Sequence, residues 1–564
     1  MKKQWKRAIS VILCAVMLCG AAVLPAHAAA EPDEQPSALM RLLYNAGDAA
    51  IRAVARGLGN ILYTNLPRKY TQDPAFLPGM DAFLSEPAQD AIWSVGYASA
   101  SLIPDGLFAA TPDPETGWRA YIGPDDVFVG GQIVPFGLKN PTWLVDDQRV
   151  RVTAMDDGSG RGAVVFASID AYAITAHDVR AIRKVALELA GAKDLEIASI
   201  NVSAMHQHSV IDTLGMNGPL IKSIFLNNFR ILFGCRPFSG KNKDFMENLH
   251  ITTARKMIEA VEGMEEGKLF YSEVDGAALE QDFTGDGRYP DVRDTKLRRF
   301  RFVPMEGGLP KEGAKETWLV NMAAHCTMLG AGPTTVSGDY PYYIEQAIGE
   351  DANFQLIQGA QLDIGTYTRW TPEEEALLTD QYMRCEAYGA RIAGLLNGMG
   401  GGGEVAPLLN VRHGEYHMQV QNPLHLLLFL SGMIDAVGYR RNLIGHALNL
   451  VTETGYMEIG DDLAVVFGPG EIDPILVKGG GMGANEAWTG KDYAFTPMGQ
   501  MVRGGRDLMT FGLTNDHSGY YLVPNDFKNF LLPGGNEEIN TVNPEAATYL
   551  LQTFKSLTDW AKAP

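Results

Sequence analysis

Apolar residues recur at helical spacing near the start of the chain. Leu39, Leu42, Leu43, Ala46, Ala50, Ile51 and Val54 share one side, with Arg41, Arg52 and Arg56 among the other positions. The spacing predicts a helix over 38–63 whose apolar stripe packs on the body of the protein, with a helix lying in a lipid surface as the second reading. Residues 67–78 read as a linker. From Ala91 onward the periodicity becomes that of an α/β protein: a continuous apolar run predicts a buried strand over 162–169. Val179, Ile182, Val185, Ala186 and Leu189 place a helix over 175–190, and 195–203 is the next strand. Strand, helix and strand at this separation imply parallel neighbours joined by a crossover. Further along, 245–261 reads as helix, 296–303 and 316–323 as strands, and 400–403 as a Gly-rich loop.

Two more apolar segments, 220–233 and 423–438, are too short to cross a bilayer and read either as core helices or as a lid or rim that touches micelles or membranes. The first residues carry a different signal. A basic start, an apolar stretch over 8–24 and Ala26-His27-Ala28 have the order of a secretory signal peptide, so the mature protein is expected to be exported. The implied division is 1–28 signal peptide, 29–90 helical segment and linker, and 91–564 a single large α/β catalytic domain built on a mixed sheet.

The chain has a formal charge of −20, and the leader holds Lys2, Lys3, Lys6 and Arg7 but no acid, so the mature charge is −24. That acidity argues against a nucleic-acid partner and against electrostatic attachment to anionic lipid. Cys235, Cys326 and Cys385 remain after the leader, at a spacing that fits neither a disulfide scaffold nor a zinc ribbon. Asp282-Phe-Thr-Gly-Asp-Gly287 echoes a calcium loop, but Arg293 stands where a bidentate Glu is needed, and the segment reads as a turn.

The candidate chemistry begins at Met205-His206-Gln207-His208, directly after the 195–203 strand. Residues two apart on a strand face the same way with Cα atoms roughly 6.5–7 Å apart, so the two imidazoles can hold one metal ion or be ordinary partly buried histidines. His325 follows the apolar strand at 316–323, Glu471 follows the run 463–468 through a Pro-Gly turn, and Tyr520 lies in Asn515-Asp-His-Ser-Gly-Tyr520.

In this order, Met205-His-Gln-His-Ser209, Asn321-Met-Ala-Ala-His325 with Val336-Ser-Gly-Asp-Tyr-Pro341, Pro469-Gly-Glu471 and Asn515-Asp-His-Ser-Gly-Tyr520 resemble four motifs of the neutral/alkaline, non-lysosomal ceramidase family. Residues 95–104 are similar, in degraded form, to the start of that family's domain, and the resemblance covers roughly 91–535. It implies one Zn²⁺ per chain held by His206, His208, His325, Glu471 and Tyr520, with Tyr520 also able to support an oxyanion. It further implies a lipid or amphiphilic acyl substrate whose amide is cleaved to a sphingoid base and a fatty acid. Independently, borderline Zn²⁺ accepts imidazole and carboxylate, acidifies a bound water and polarises a carbonyl.

Two departures stand out. Where the family commonly has a Ser, the segment Leu362-Asp363-Ile364-Gly365-Thr366 has Gly365. Either metal-activated water does the chemistry alone, or Thr366 substitutes, or the activity has changed; Asp363 orients a ligand or caps a turn. The family's substrate-facing Arg has only a loose match in Arg288. The chain after Tyr520 is also too short for the immunoglobulin-like domain of longer members. The competing readings are a zinc hydrolase of another acyl amide or ester, and a non-catalytic lipid- or glycan-binding relative.

Overall fold

The computed structural model describes residues 38–61, 66–131, 140–218, 220–279, 283–285, 288, 290–330, 334–440, 448–530 and 535–562. The predicted signal peptide and residues 282, 286 and 287 of the calcium-like segment lie outside the described residues.

Two sheets stack face to face. The first is built from β1 (Trp93–Ser101), β2 (Arg149–Asp156), β3 (Ala163–Ile169), β4 (Ile197–Ala204), β5 (Glu265–Asp275), β6 (Lys296–Glu306), β7 (Glu316–Met322) and β8 (Ala352–Gln358). They lie in the order β8-β7-β6-β5-β1-β2-β3-β4. The sheet is mixed: β3 and β4 are parallel with Ile169 opposite Ala204, β7 and β8 are parallel with Met322 opposite Gln358, and the pairs between them are antiparallel. The second sheet runs β9 (Leu409–Gln419), β10 (Leu448–Ile459), β11 (Leu463–Phe467) and, past the short β12 (Glu471–Ile472) that pairs elsewhere, β13 (Asp507–Phe511). Phe166, Phe300, Leu319 and Ile357 of the first sheet interlock with Val411, Met457, Phe467 and Phe511 of the second in one buried cluster.

Helices cover the outer faces. On the first sheet lie α2 (Ala176–Gly191), α4 (Lys243–Glu262), α5 (Asp339–Ile348) and α6 (Gln381–Gly398); on the second lie α7 (Pro423–Ser431) and α8 (Ala546–Ala561). This explains why β3 is buried at every position and reads as an unbroken apolar run: both of its faces are dry. Thr175 starts α2 with a capping box to Asp178, and Asn242 caps α4, so polar side chains end the loops where the apolar periodicity begins.

Two expectations change, the linker and the face of the first helix, and one alternative is decided. Residues 67–78 are no free linker, because Tyr70 donates to Glu415, His413 N–H to the Pro78 carbonyl and Arg440 N–H to the Pro67 carbonyl. The segment 423–438 is core, with Leu426, Leu428, Phe429, Leu430, Met433 and Ile434 buried. The first helix, α1 (Ala38–Ile61), forms as predicted, but faces the other way. Leu39, Leu42, Leu43 and Val54 point to solvent, while Asp48 and Ala55 are buried. The helix is held by polar contacts: Arg41 donates to the Trp488 carbonyl, Asp48 accepts from the Phe530 N–H, and Asn529 donates to Asn45.

Candidate metal centre

Four loops converge at the carboxyl ends of strands from both sheets. β4 stops at Ala204, and Met205 N–H and His206 N–H bond the carbonyls of Ile169, at the end of β3, and Ala171, just beyond it. His206 takes a left-handed conformation, φ 62°, so the chain turns here and Gln207 forms a parallel bridge with Cys326. The two histidines therefore do not share a strand face, as their spacing suggested; a strained turn beyond the strand brings them together. The bridge sets the His206–His208 turn beside the one carrying His325, just past β7. From the second sheet, β12 (Glu471–Ile472) follows β11 and pairs in parallel with β14 (Tyr520–Tyr521), which puts Glu471 opposite Tyr520. Asp363, Leu513 and Asn515, in the loops that close the site, also have positive φ, so backbone strain gathers here.

The result is a group in which His206, His208 and His325 each offer a ring nitrogen, all within 4.8 Å of one another. Glu471 Oε1 lies 3.1 Å from His206 Nε2 and Oε2 lies 3.0 Å from His325 Nε2. The protonation pattern follows from the outer contacts. His206 Nδ1 is 2.8 Å from the Tyr172 carbonyl and His325 Nδ1 is 2.8 Å from the Ile364 carbonyl. A carbonyl only accepts, so each Nδ1 donates outward and each Nε2 is turned inward, toward Glu471. His206 Nε2, both nitrogens of His208 and both oxygens of Glu471 are buried without a hydrogen-bond partner. Buried polar atoms without hydrogen-bond partners are unfavourable in a dry interior, and a cation held among them supplies the missing partner. Three imidazoles and a carboxylate form a donor set that suits Zn²⁺, and the residues fit the ion on these grounds.

Electrostatics are those of a dry site. Burial pushes His208 well below the ordinary imidazole range, with His206 and His325 acting the same way. Burial opposes the charge of Glu471, but His206 and His325 hold its carboxyl well below the usual range. Burial, and after it the Glu471 charge, raises the Tyr520 phenol. Tyr520 sits in an apolar cluster with Leu362, Leu522, Phe527 and Phe530. Gly131 closes one side: its φ is 133°, and a Cβ there would lie 2.4 Å from the His208 carbonyl oxygen.

The other sequence candidates fall around this centre. Asp363 occupies a turn whose next residue, Ile364, accepts from His325, so this segment orients a ligand through its backbone. Thr366 Oγ1 donates to Met328 Sδ at 2.9 Å, and at Gly365 an added Cβ would meet nothing within 4 Å. Arg288 is not free to face a substrate: its guanidinium binds Asp526 at 2.5 Å, Glu537 at 3.0 Å and Glu538 at 2.9 Å.

Three groups escaped the sequence reading. Tyr172 stacks on His206 with ring centroids 4.7 Å apart and meets His208 edge-on. His517 lies 5.7 Å from His206, and burial pushes it down to about 3. Glu537, beside Asp363, is raised to about 7 by burial and then by the Asp363 charge. Only His517 left a trace, inside the motif that ends at Tyr520.

No protein-family model matches the sequence, and no curated protein is similar to it at a significant level. Among solved structures, the chain is similar to the neutral ceramidase from Pseudomonas aeruginosa, with a TM-score of 0.57 and 13% identity over 84% of this chain and 76% of that one. A ceramidase complexed with C2 matches with a TM-score of 0.57 and 13% identity over 83% of this chain and 75% of that one. The likeness is one of fold: this chain has the mixed α/β architecture of neutral ceramidases.

Proposed function

We propose that the protein is a zinc-dependent amidohydrolase that cleaves the amide of ceramide-like N-acyl lipids to a sphingoid base and a fatty acid. The observation that carries this reading is the set of inward-facing, unpartnered polar atoms on His206, His208 and Glu471, gathered with His325 at the strand ends of a ceramidase-like fold. His206, His208, His325, Glu471 and Tyr520 would hold the ion. When bound, it supplies an acidified water and a polarised carbonyl.

The protein's own groups do the rest. The Tyr172 and Ile364 carbonyls fix the rings of His206 and His325, so the ligand geometry is set before substrate arrives. Tyr520 presents a phenol beside Glu471, positioned to donate to the oxygen on which negative charge develops. Tyr172 lies against the rings of His206 and His208 and excludes water there. Gly365 brings no hydroxyl and Thr366 is engaged with Met328, which supports attack by water over attack by a side chain. Export of the protein is part of the proposal and rests on the leader alone.

The test is metal analysis of the purified protein together with release of fatty acid from a short-chain N-acyl sphingosine, before and after chelation. Stoichiometric zinc and chelator-sensitive release are expected. Release that persists at full rate in metal-free protein would overturn the proposal.

A further inference from the structure

A second helix shares this outward apolar face with α1. The helix α3 (Leu220–Leu232) follows the His206–His208 turn, and both α1 and α3 pack against α7. On α1 the outward residues Leu39, Leu42 and Leu43 are 57–65% exposed; beyond α3, Phe233 is 77% exposed and Phe238 51%, with Phe229 at 48%. A helix that hydrogen-bonds the body through its polar side and turns its leucines outward is favourable only if something apolar covers them.

The local charge says what that is. Although the chain carries −20, residues 38–70 hold five cations against the single Asp48, and between Asp212 and Asp244 there are five cations and no acid. Some are internal: Arg52 pairs with Asp48 and Lys241 with Asp178. Arg68, Lys69 and Arg236 are exposed, and Arg230 lies over the Phe238 ring at 3.9 Å. Beside α1 a groove of about 480 Å³ is lined by Arg41, Lys491 and Lys528 together with Leu42 and Trp488, and no carboxylate is among its described lining residues. Leucine and phenylalanine side chains flanked by cations and a basic groove match the acyl and phosphate layers of an anionic membrane. A second copy of the chain is a poorer match, because a two-fold contact would set these cations against one another. No described helix is long and apolar enough to cross a membrane, so the contact is in-plane.

We propose that α1 and α3 form a docking face for an anionic phospholipid bilayer. The net charge conceals this face, because it sums acids that lie elsewhere. The inner side of α1 carries Ile51, which packs on the cluster containing Tyr520 and Leu362, so docking sets the candidate metal centre close beneath the lipid surface.

The experiment is co-sedimentation of the full chain, as processed by its host, with vesicles that contain no amide lipid, which keeps the outcome separate from the hydrolase reading. Vesicles of phosphatidylcholine alone are compared with vesicles in which about a third is phosphatidylglycerol. Binding should favour the anionic vesicles. Leu39→Ser with Leu43→Ser, and Phe229→Ser with Phe233→Ser, should each lower it about tenfold or more without changing the melting temperature, since these residues are exposed. Lys491→Glu with Lys528→Glu should remove the preference for anionic vesicles. Unchanged sedimentation of all three variants overturns the proposal. So does absence of vesicle binding in a protein whose dimer the serine variants dissociate.

Discussion

Two buried glutamates of the second sheet and its loops show how one residue type serves two ends. Glu453 on β10 is 5% exposed and meets the guanidinium of Arg183 in two bonds, 2.6 and 2.9 Å, while Arg183 also donates to the Ile200 carbonyl. Glu471 is fully buried, and its two oxygens face His206 Nε2 at 3.1 Å and His325 Nε2 at 3.0 Å without a completed hydrogen bond. The first carboxylate is complete within the protein and ties α2 and β4 to β10. The second is complete only with a cation. A buried polar group whose partners all lie in the chain stabilises the fold, whereas one left without a hydrogen-bond partner marks where a ligand belongs.

The contrast can be broken most sharply at the histidines. His206→Ala with His208→Ala should remove bound metal and lower amide hydrolysis by about 10³-fold or more, with the metal-free protein melting no lower than metal-free wild type. Stoichiometric metal in that variant would place the ion elsewhere.

Arg183→Met should do the reverse. Leaving Glu453 charged and unpaired costs about 3–5 kcal/mol, read by denaturant unfolding, while metal content per folded molecule stays at the wild-type value. The pH dependence has a definite sign. Burial opposes the charge of Glu453, but Arg183 outweighs it and holds the folded carboxyl below its ordinary 4.5. The pair's contribution is therefore present above 4.5 and lost as pH falls through the lower folded value, so wild type and variant should converge in acid. A gap that widens in acid would contradict the assignment.

Gln207 joins the two kinds of site. It lies between the histidines and donates to Asp170 at 2.7 Å; Asp170 in turn pairs with Arg151, which binds Glu345. Gln207→Ala should weaken metal binding about 10–100-fold by loosening the turn, measured by competition with a chelator. A fall in melting temperature alone, with metal affinity unchanged, would make Gln207 purely structural.

The smallest effect is expected at Thr366. Thr366→Ala should keep hydrolysis within about tenfold, with no acyl-enzyme detected by mass spectrometry. A trapped adduct on Thr366 would replace water as the nucleophile.

Much of this was legible along the chain, because apolar periodicity reports which faces are dry. The parallel pair β3 and β4 with α2 between them, the strand before His325 and the helix over 38–61 all follow from it. The five candidate ligands were legible only as an ordered set of motifs, since a lone His or Glu carries no address.

What the sequence determined by itself is the inventory: which segments are strands and helices, and which side chains are candidates to hold an ion. Only the tertiary structure decided how these face one another. The left-handed turn at His206, the pairing of Glu471 with Tyr520, the stacking of Tyr172, the locking of Arg288 by three carboxylates and the outward turn of α1 all depend on contacts between segments far apart in the chain. The physical reason is that periodicity records that a face is apolar but not what covers it. The inner face of α1 was chosen by hydrogen bonds to Trp488, Asn529 and Phe530, which left its leucines for another partner.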